Sequence, residues 1–100
     1  MYGLIGKIKA VSGQRDALIS ILTEGVAGMP GCLSYIVAQD PTDADAIWVT
    51  EVWVDQDSHQ ASLSLPSVQQ AITRGRPLIT GFGERFETIP VGGHGLTNPG

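Results

Sequence analysis

The chain has 100 residues and a net charge of -4, with 42% of its residues hydrophobic and 16% charged. That is enough for one domain with a modest core, and the shortage of charge suits a surface partly buried in an oligomer. The six basic residues are scattered, which argues against a nucleic-acid surface built from clustered Lys and Arg. A single cysteine, Cys32, excludes an internal disulfide and points to a reducing cytoplasm. No apolar run approaches the ~20 residues of a membrane span, and the N-terminus lacks a secretory pattern.

Residues 2–10 place Tyr2, Leu4, Gly6, Ile8 and Ala10 on one face and Lys7 and Lys9 on the other, which predicts a strand. Ser12-Gly13 reads as a turn, with Ser12 placed to cap the helix that follows. Leu18, Ile21, Leu22, Val26 and Met29 then recur at helical spacing, and Gly28, Pro30 and Gly31 end the helix. Residues 32–39 form a second strand, with Leu33, Tyr35 and Val37 opposite Cys32, Ser34, Ile36 and Ala38. The polar run 40–45 is a hairpin connection.

Residues 46–54 are the most strand-like stretch, rich in β-branched and aromatic side chains. Ile47, Val49, Glu51 and Trp53 share one face; Trp48, Thr50, Val52 and Val54 share the other. Both faces are mostly apolar, so helices should cover one and further sheet the other. Asp55 then reads as a helix N-cap, with a short helix over 58–65. Pro66 opens another, carrying Val68, Ala71 and Ile72 inward and stopped by Gly75 and Pro77. Residues 78–89 read as the last strand, where Gly81 and Gly83 mark a bulge or a close approach. Residues 1–90 are thus one domain, and 91–100 a Gly-rich tail containing His94.

The order β-α-β-β-α-β is the split pattern of an α+β ferredoxin-like fold. It predicts a four-stranded antiparallel sheet with helices on one face. Two such sheets facing each other would bury the bare face, so a homodimer is expected.

The ordered features resemble the antibiotic biosynthesis monooxygenase (ABM) family over about residues 1–89. They are Gly13 at the first helix, Met29-Pro30-Gly31-Cys32-Leu33, Trp48-Val49-Thr50-Glu51-Val52-Trp53, Ser58-His59-Gln60-Ala61 and Leu65-Pro66-Ser67. The resemblance implies a dimeric α+β barrel that oxidises quinols, anthrones or similar electron-rich aromatics with molecular oxygen, commonly without metal or flavin. Two departures stand out. Many quinol-oxidising relatives carry an Ala-His-Leu-x-Thr-Pro-His run, and serines replace both histidines in Ala61–Ser67 here. The haem-degrading relatives' Asn, Trp and His align with Gly6, Trp53 and approximately Ile72, so only the Trp is kept.

Cofactor-free oxygenation requires an apolar pocket for a flat aromatic, a base, and groups that orient the substrate. Trp53 matches the family's third-strand Trp and is expected to wall the pocket and take part in catalysis. His59 is the expected base, since an ordinary imidazole titrates near ~6.5. Tyr35, Glu51, Arg74 and Phe82 are expected to contact substrate, Arg74 together with Arg76 as the partners of an anionic or phenolate group. Structural roles compete for several of these. A buried Glu51 must be paired or protonated, basic residues at a helix C-terminus complement its dipole, and Phe82 and Phe86 fall on one strand face, as core residues would. No metal site is expected, and no cofactor. The expectation is a cytoplasmic, cofactor-independent homodimeric monooxygenase taking a small aromatic substrate and oxygen, without nucleic-acid or membrane partners. A non-catalytic module binding a small aromatic ligand, or an oxygen-free isomerase or lyase, would use the same fold.

Overall fold

Alternating apolar residues build four strands: β1 (Tyr2–Ala10), β2 (Cys32–Gln39), β3 (Ala46–Trp53) and β4 (Ile79–Thr88). The computed structural model describes residues 1–25 and 28–96. Between the strands lie α1 (Arg15–Gly25), α2 (Gln56–Ser62) and α3 (Pro66–Gly75), with a 3-10 turn at Arg76–Leu78. The strands pair antiparallel in the order β2-β3-β1-β4, which is the expected ferredoxin-like α+β arrangement.

Leu18 of α1 and Ile47 of β3 are fully buried and pack with Ala10 and Val49. Burial of each large aliphatic side chain contributes about 1.5–3 kcal/mol. Two glycines allow the close approaches this core needs. A Cβ at Gly25 would stand 2.7 Å from the Cβ of Ala71, so the glycine lets α1 and α3 approach closely at that point. Gly31 has a φ of +80°, and a Cβ there would also meet Ser58 Oγ at 2.6 Å. Its carbonyl accepts from the amide of Val54 at 2.9 Å, which ties the loop before β2 to the end of β3.

Helix boundaries follow local chemistry. Asp55 Oδ1 accepts from the Ser58 amide at 2.7 Å and starts α2, while Pro66 opens α3 at a position that needs no amide donor. The first helix differs from expectation at its start. It begins at Arg15, so Ser12 sits in the preceding turn, whose Gly13 amide donates to Asp45 Oδ1 at 3.2 Å. Of the expected α1 stripe, Val26 lies outside the described residues, and Met29 is buried beyond the helix.

Register shifts in β2 and β4 change which side chains face the helices. Cys32 pairs with Trp53 and Ser34 with Val52, so an extra residue, Leu33, interrupts β2 and puts Cys32 opposite Trp53. In β4, Ile8 pairs with Phe82 but Gly6 with Arg85, the bulge that Gly81 and Gly83 announced. Phe82 and Phe86 consequently face opposite sides, and neither is in the core: they are 75% and 52% exposed.

The helix-free face carries a row across all four strands, Ile36–Thr50–Ile5–Phe86 in register. Beside it Asp40, 8% exposed, anchors the β2–β3 hairpin. Its carboxylate accepts from the Thr42 amide at 2.8 Å and from Trp48 Nε1 at 2.9 Å, with Lys7 Nζ at 3.5 Å. Those donors, the Thr42 amide foremost, hold its pKa well below the ordinary carboxylate value.

Candidate active site

A cavity of about 530 Å³ lies between the helices and the sheet, a volume suited to a small ligand. Aliphatic side chains make most of its wall, among them Ile8, Leu22, Val68 and Ile72. Five of the six residues expected to form the site line it: Tyr35, Glu51, Trp53, His59 and Phe82. Arg74 does not. It points away, Nη1 lying 3.3 Å from Glu24 Oε2 in an exposed ion pair that links α3 to α1. Arg76 lines the cavity instead, because α3 ends at Gly75 and the 3-10 turn redirects the chain toward β4.

One end of the cavity is polar by construction. Strand alternation places Glu51 and Trp53 on the same face, and Trp53 Nε1 donates to Glu51 Oε1 at 3.1 Å. Trp53 itself is only 1% exposed. Burial pushes the Glu51 carboxyl above its ordinary range, and the Trp53 hydrogen bond and the nearby His59 and Arg85 only partly oppose that. Tyr35 faces Glu51 across the β2–β3 ladder. Its phenol is pushed well above the usual tyrosine value, first by burial and then by the Glu51 charge, so it stays a donor at neutral pH.

The capped first turn of α2 carries His59 over this end. Its ring meets the Trp53 indole edge-on at 5.5 Å and the Tyr2 phenol at 5.7 Å. Among the described residues, His59 Nδ1 is the only buried side-chain nitrogen or oxygen without a hydrogen-bond partner. An unmet buried polar atom costs about 1–3 kcal/mol. Tyr2 is a neighbour that strand-by-strand reading missed. It reaches the site because β1 pairs with β3 in the register Tyr2↔Trp53, and its hydroxyl donates to Glu87 Oε2 at 3.0 Å.

No group of three or more His, Cys, Asp or Glu side chains placed to hold a metal ion occurs among the described residues. The arrangement offers a mostly apolar cavity, a carboxyl–indole pair, a phenol donor and an imidazole with one unpartnered nitrogen.

The antibiotic biosynthesis monooxygenase family profile matches residues 1–74. A solved Chloroflexus aurantiacus J-10-fl protein, provisionally described as an antibiotic biosynthesis monooxygenase, is 69% identical. The two superpose with a TM-score of 0.94 over 96% of this chain and 98% of that one. A Deinococcus radiodurans protein with the same provisional description is 22% identical, at a TM-score of 0.76 over 98% of this chain and 100% of its own. A Pseudomonas aeruginosa protein is 24% identical, at a TM-score of 0.77 over 91% of this chain and 94% of its own. These last two share the fold. No curated protein matches the chain. With the profile spanning most of its length and so near a relative throughout, the chain belongs to the antibiotic biosynthesis monooxygenase family.

Proposed function

We propose that the protein is a cytoplasmic, cofactor-independent monooxygenase that oxidises a quinol-like or polycyclic phenolic substrate with molecular oxygen. The observation that carries this reading is the unpartnered imidazole of His59 at the edge of an apolar cavity, beside Trp53 and Glu51.

In this reading His59 accepts the substrate hydroxyl proton and leaves an electron-rich aromatic anion. The anion passes one electron to oxygen, and the resulting radical pair joins as a peroxide on a ring carbon. The O–O bond then breaks. One oxygen remains as the new carbonyl and the other departs as water with the two hydrogens the substrate has lost. Trp53 walls the ring, Tyr35 donates to a substrate oxygen, and Glu51 fixes the indole and the polar end.

A second copy completes the molecule in the same proposal. The helix-free face exposes Ile36 and Phe86 in one row with Ile5 and Thr50, an apolar band that a facing sheet would bury. The test is oxygen uptake by metal-free, flavin-free protein over a panel of hydroquinones, naphthoquinols and anthrones. Uptake above autoxidation with an oxygen-inserted product, a hydroxyquinone from a quinol or an anthraquinone from an anthrone, supports the oxygenase. Tight binding without conversion supports a ligand-binding module, and conversion without oxygen an isomerase or lyase.

A further inference from the structure

Arg76 differs from every other cation in the chain. Lys7 lies against Asp40, Lys9 pairs with Asp43, Arg74 with Glu24 and Arg85 with Glu87. Arg15 donates to the backbone carbonyls of Asp40 and Asp43. These are five of the six basic residues in the sequence. The sixth, Arg76, has no side-chain hydrogen bond or ion pair among the described residues, and it lines the cavity. Its position at the end of α3 would let it serve the helix carbonyls, as such residues often do, yet among the described residues its guanidinium donates no hydrogen bond to them.

Strand register places the cavity's two poles toward opposite ends of β1. Glu51 lies opposite Leu4, and Ile79, just beyond the Arg76 turn, lies opposite Ala10. Those partners lie six positions apart on β1, so Glu51 and the Arg76 turn meet the cavity at opposite ends of the strand. The wall between is apolar. Arg76 is exposed at the mouth, and it is the one permanently charged side chain among the lining residues, Glu51 at the far pole having its charged form disfavoured by burial.

We infer that Arg76 is a specificity residue that recognises a carboxylate on an extended polycyclic substrate, remote from the ring held at Trp53 and His59. A planar guanidinium matches a carboxylate through two parallel hydrogen bonds, whereas the neutral hydroxyls of a quinol would leave most of its donors unused. The protein's net charge of -4 repels anions in general, so a single unpaired cation at the mouth selects where one may dock. This inference rests on the aromatic-substrate reading of the same cavity.

The experiment measures binding, so that it stands apart from turnover. The probes are anthraquinone-2-carboxylate and its neutral isostere anthraquinone-2-carboxamide, titrated calorimetrically into native protein, Arg76→Gln, Arg76→Lys and Arg74→Gln. Native protein should prefer the carboxylate about tenfold, a preference that weakens with salt. Arg76→Gln should abolish the preference, Arg76→Lys should keep part of it, and Arg74→Gln should leave it intact. Equal binding of both probes to native protein, no binding of either, or a preference surviving in Arg76→Gln would overturn the inference. A carboxylate preference together with no oxygen uptake on any quinol would keep Arg76 as an anion-recognising residue and remove the oxygenase.

Discussion

Trp53 and Glu51 are two residues apart on β3, and the buried indole holds the carboxyl by a 3.1 Å hydrogen bond from Nε1 to Oε1. The pair defines the polar end of the cavity, and its energetics are opposed. Burial disfavours the charged carboxylate, while the indole N–H favours it.

Because the folded-state pKa of Glu51 is raised, its protonated form favours the fold. Its stabilising contribution is full below the ordinary glutamate value of 4.5 and is lost as pH rises through the folded-state value. Glu51→Gln keeps an acceptor for Trp53 without the charge. Its melting temperature should equal or exceed the native value at pH 7, and the difference should vanish on acidification toward pH 4. Trp53→Phe, which removes the donor, should move the Glu51 titration higher still when followed by carboxyl NMR.

Asp40 gives the opposite slope. The Thr42 amide, Trp48 and Lys7 lower its pKa, so its contribution is present above the ordinary aspartate value of 3.8 and is lost as pH falls through the folded-state value. Asp40→Asn should lower the melting temperature at pH 7, and the deficit should shrink as the pH is brought well below 3.8. A deficit independent of pH would assign the residue a packing role alone.

Replacing His59 tests the base. His59→Gln should lower turnover about a hundredfold or more, with little change in the affinity for an aromatic product. Steady-state kinetics beside calorimetric binding separates the two. An undiminished rate would remove His59 from the chemistry.

Gly31→Ala forces a side chain into a left-handed backbone conformation and against Ser58. Urea denaturation should show a loss of ~1–3 kcal/mol. A smaller loss would mean that α2 shifts to accommodate the methyl group.

The apolar row on the open face makes a further prediction. A charge at Ile36 or Phe86 (Ile36→Asp, Phe86→Asp) should convert the proposed dimer to a folded monomer in light scattering, since burying an unpaired carboxylate between two sheets is costly. A native protein that is already monomeric would refute the facing-sheet assembly.

Much of this molecule could be read from alternation and punctuation. The limits of β1 and β2, the Asp55 cap, Pro66 and Gly75 bounding α3, and Glu51 sharing a face with Trp53 all depend on near neighbours. What depended on pairing between distant strands was not legible. The extra residue at Leu33 moved Cys32 across the sheet, and the β4 bulge separated Phe82 from Phe86. Tyr2 reached His59 only through the β1–β3 register. Arg74 and Arg76 look alike in sequence, but Arg74 lies within α3 and pairs with Glu24, whereas the turn after Gly75 carries Arg76 to the cavity.

The most direct test of the central claim is the fate of isotopically heavy oxygen gas, followed by mass spectrometry of the product formed by metal-free, flavin-free protein from an anthrone or naphthoquinol. Monooxygenation predicts one heavy oxygen atom in the product and the other in water, with labelled product formed well above the amount that autoxidation gives without protein over the same interval. Product carrying no heavy oxygen, or formed equally well without oxygen, would contradict the account.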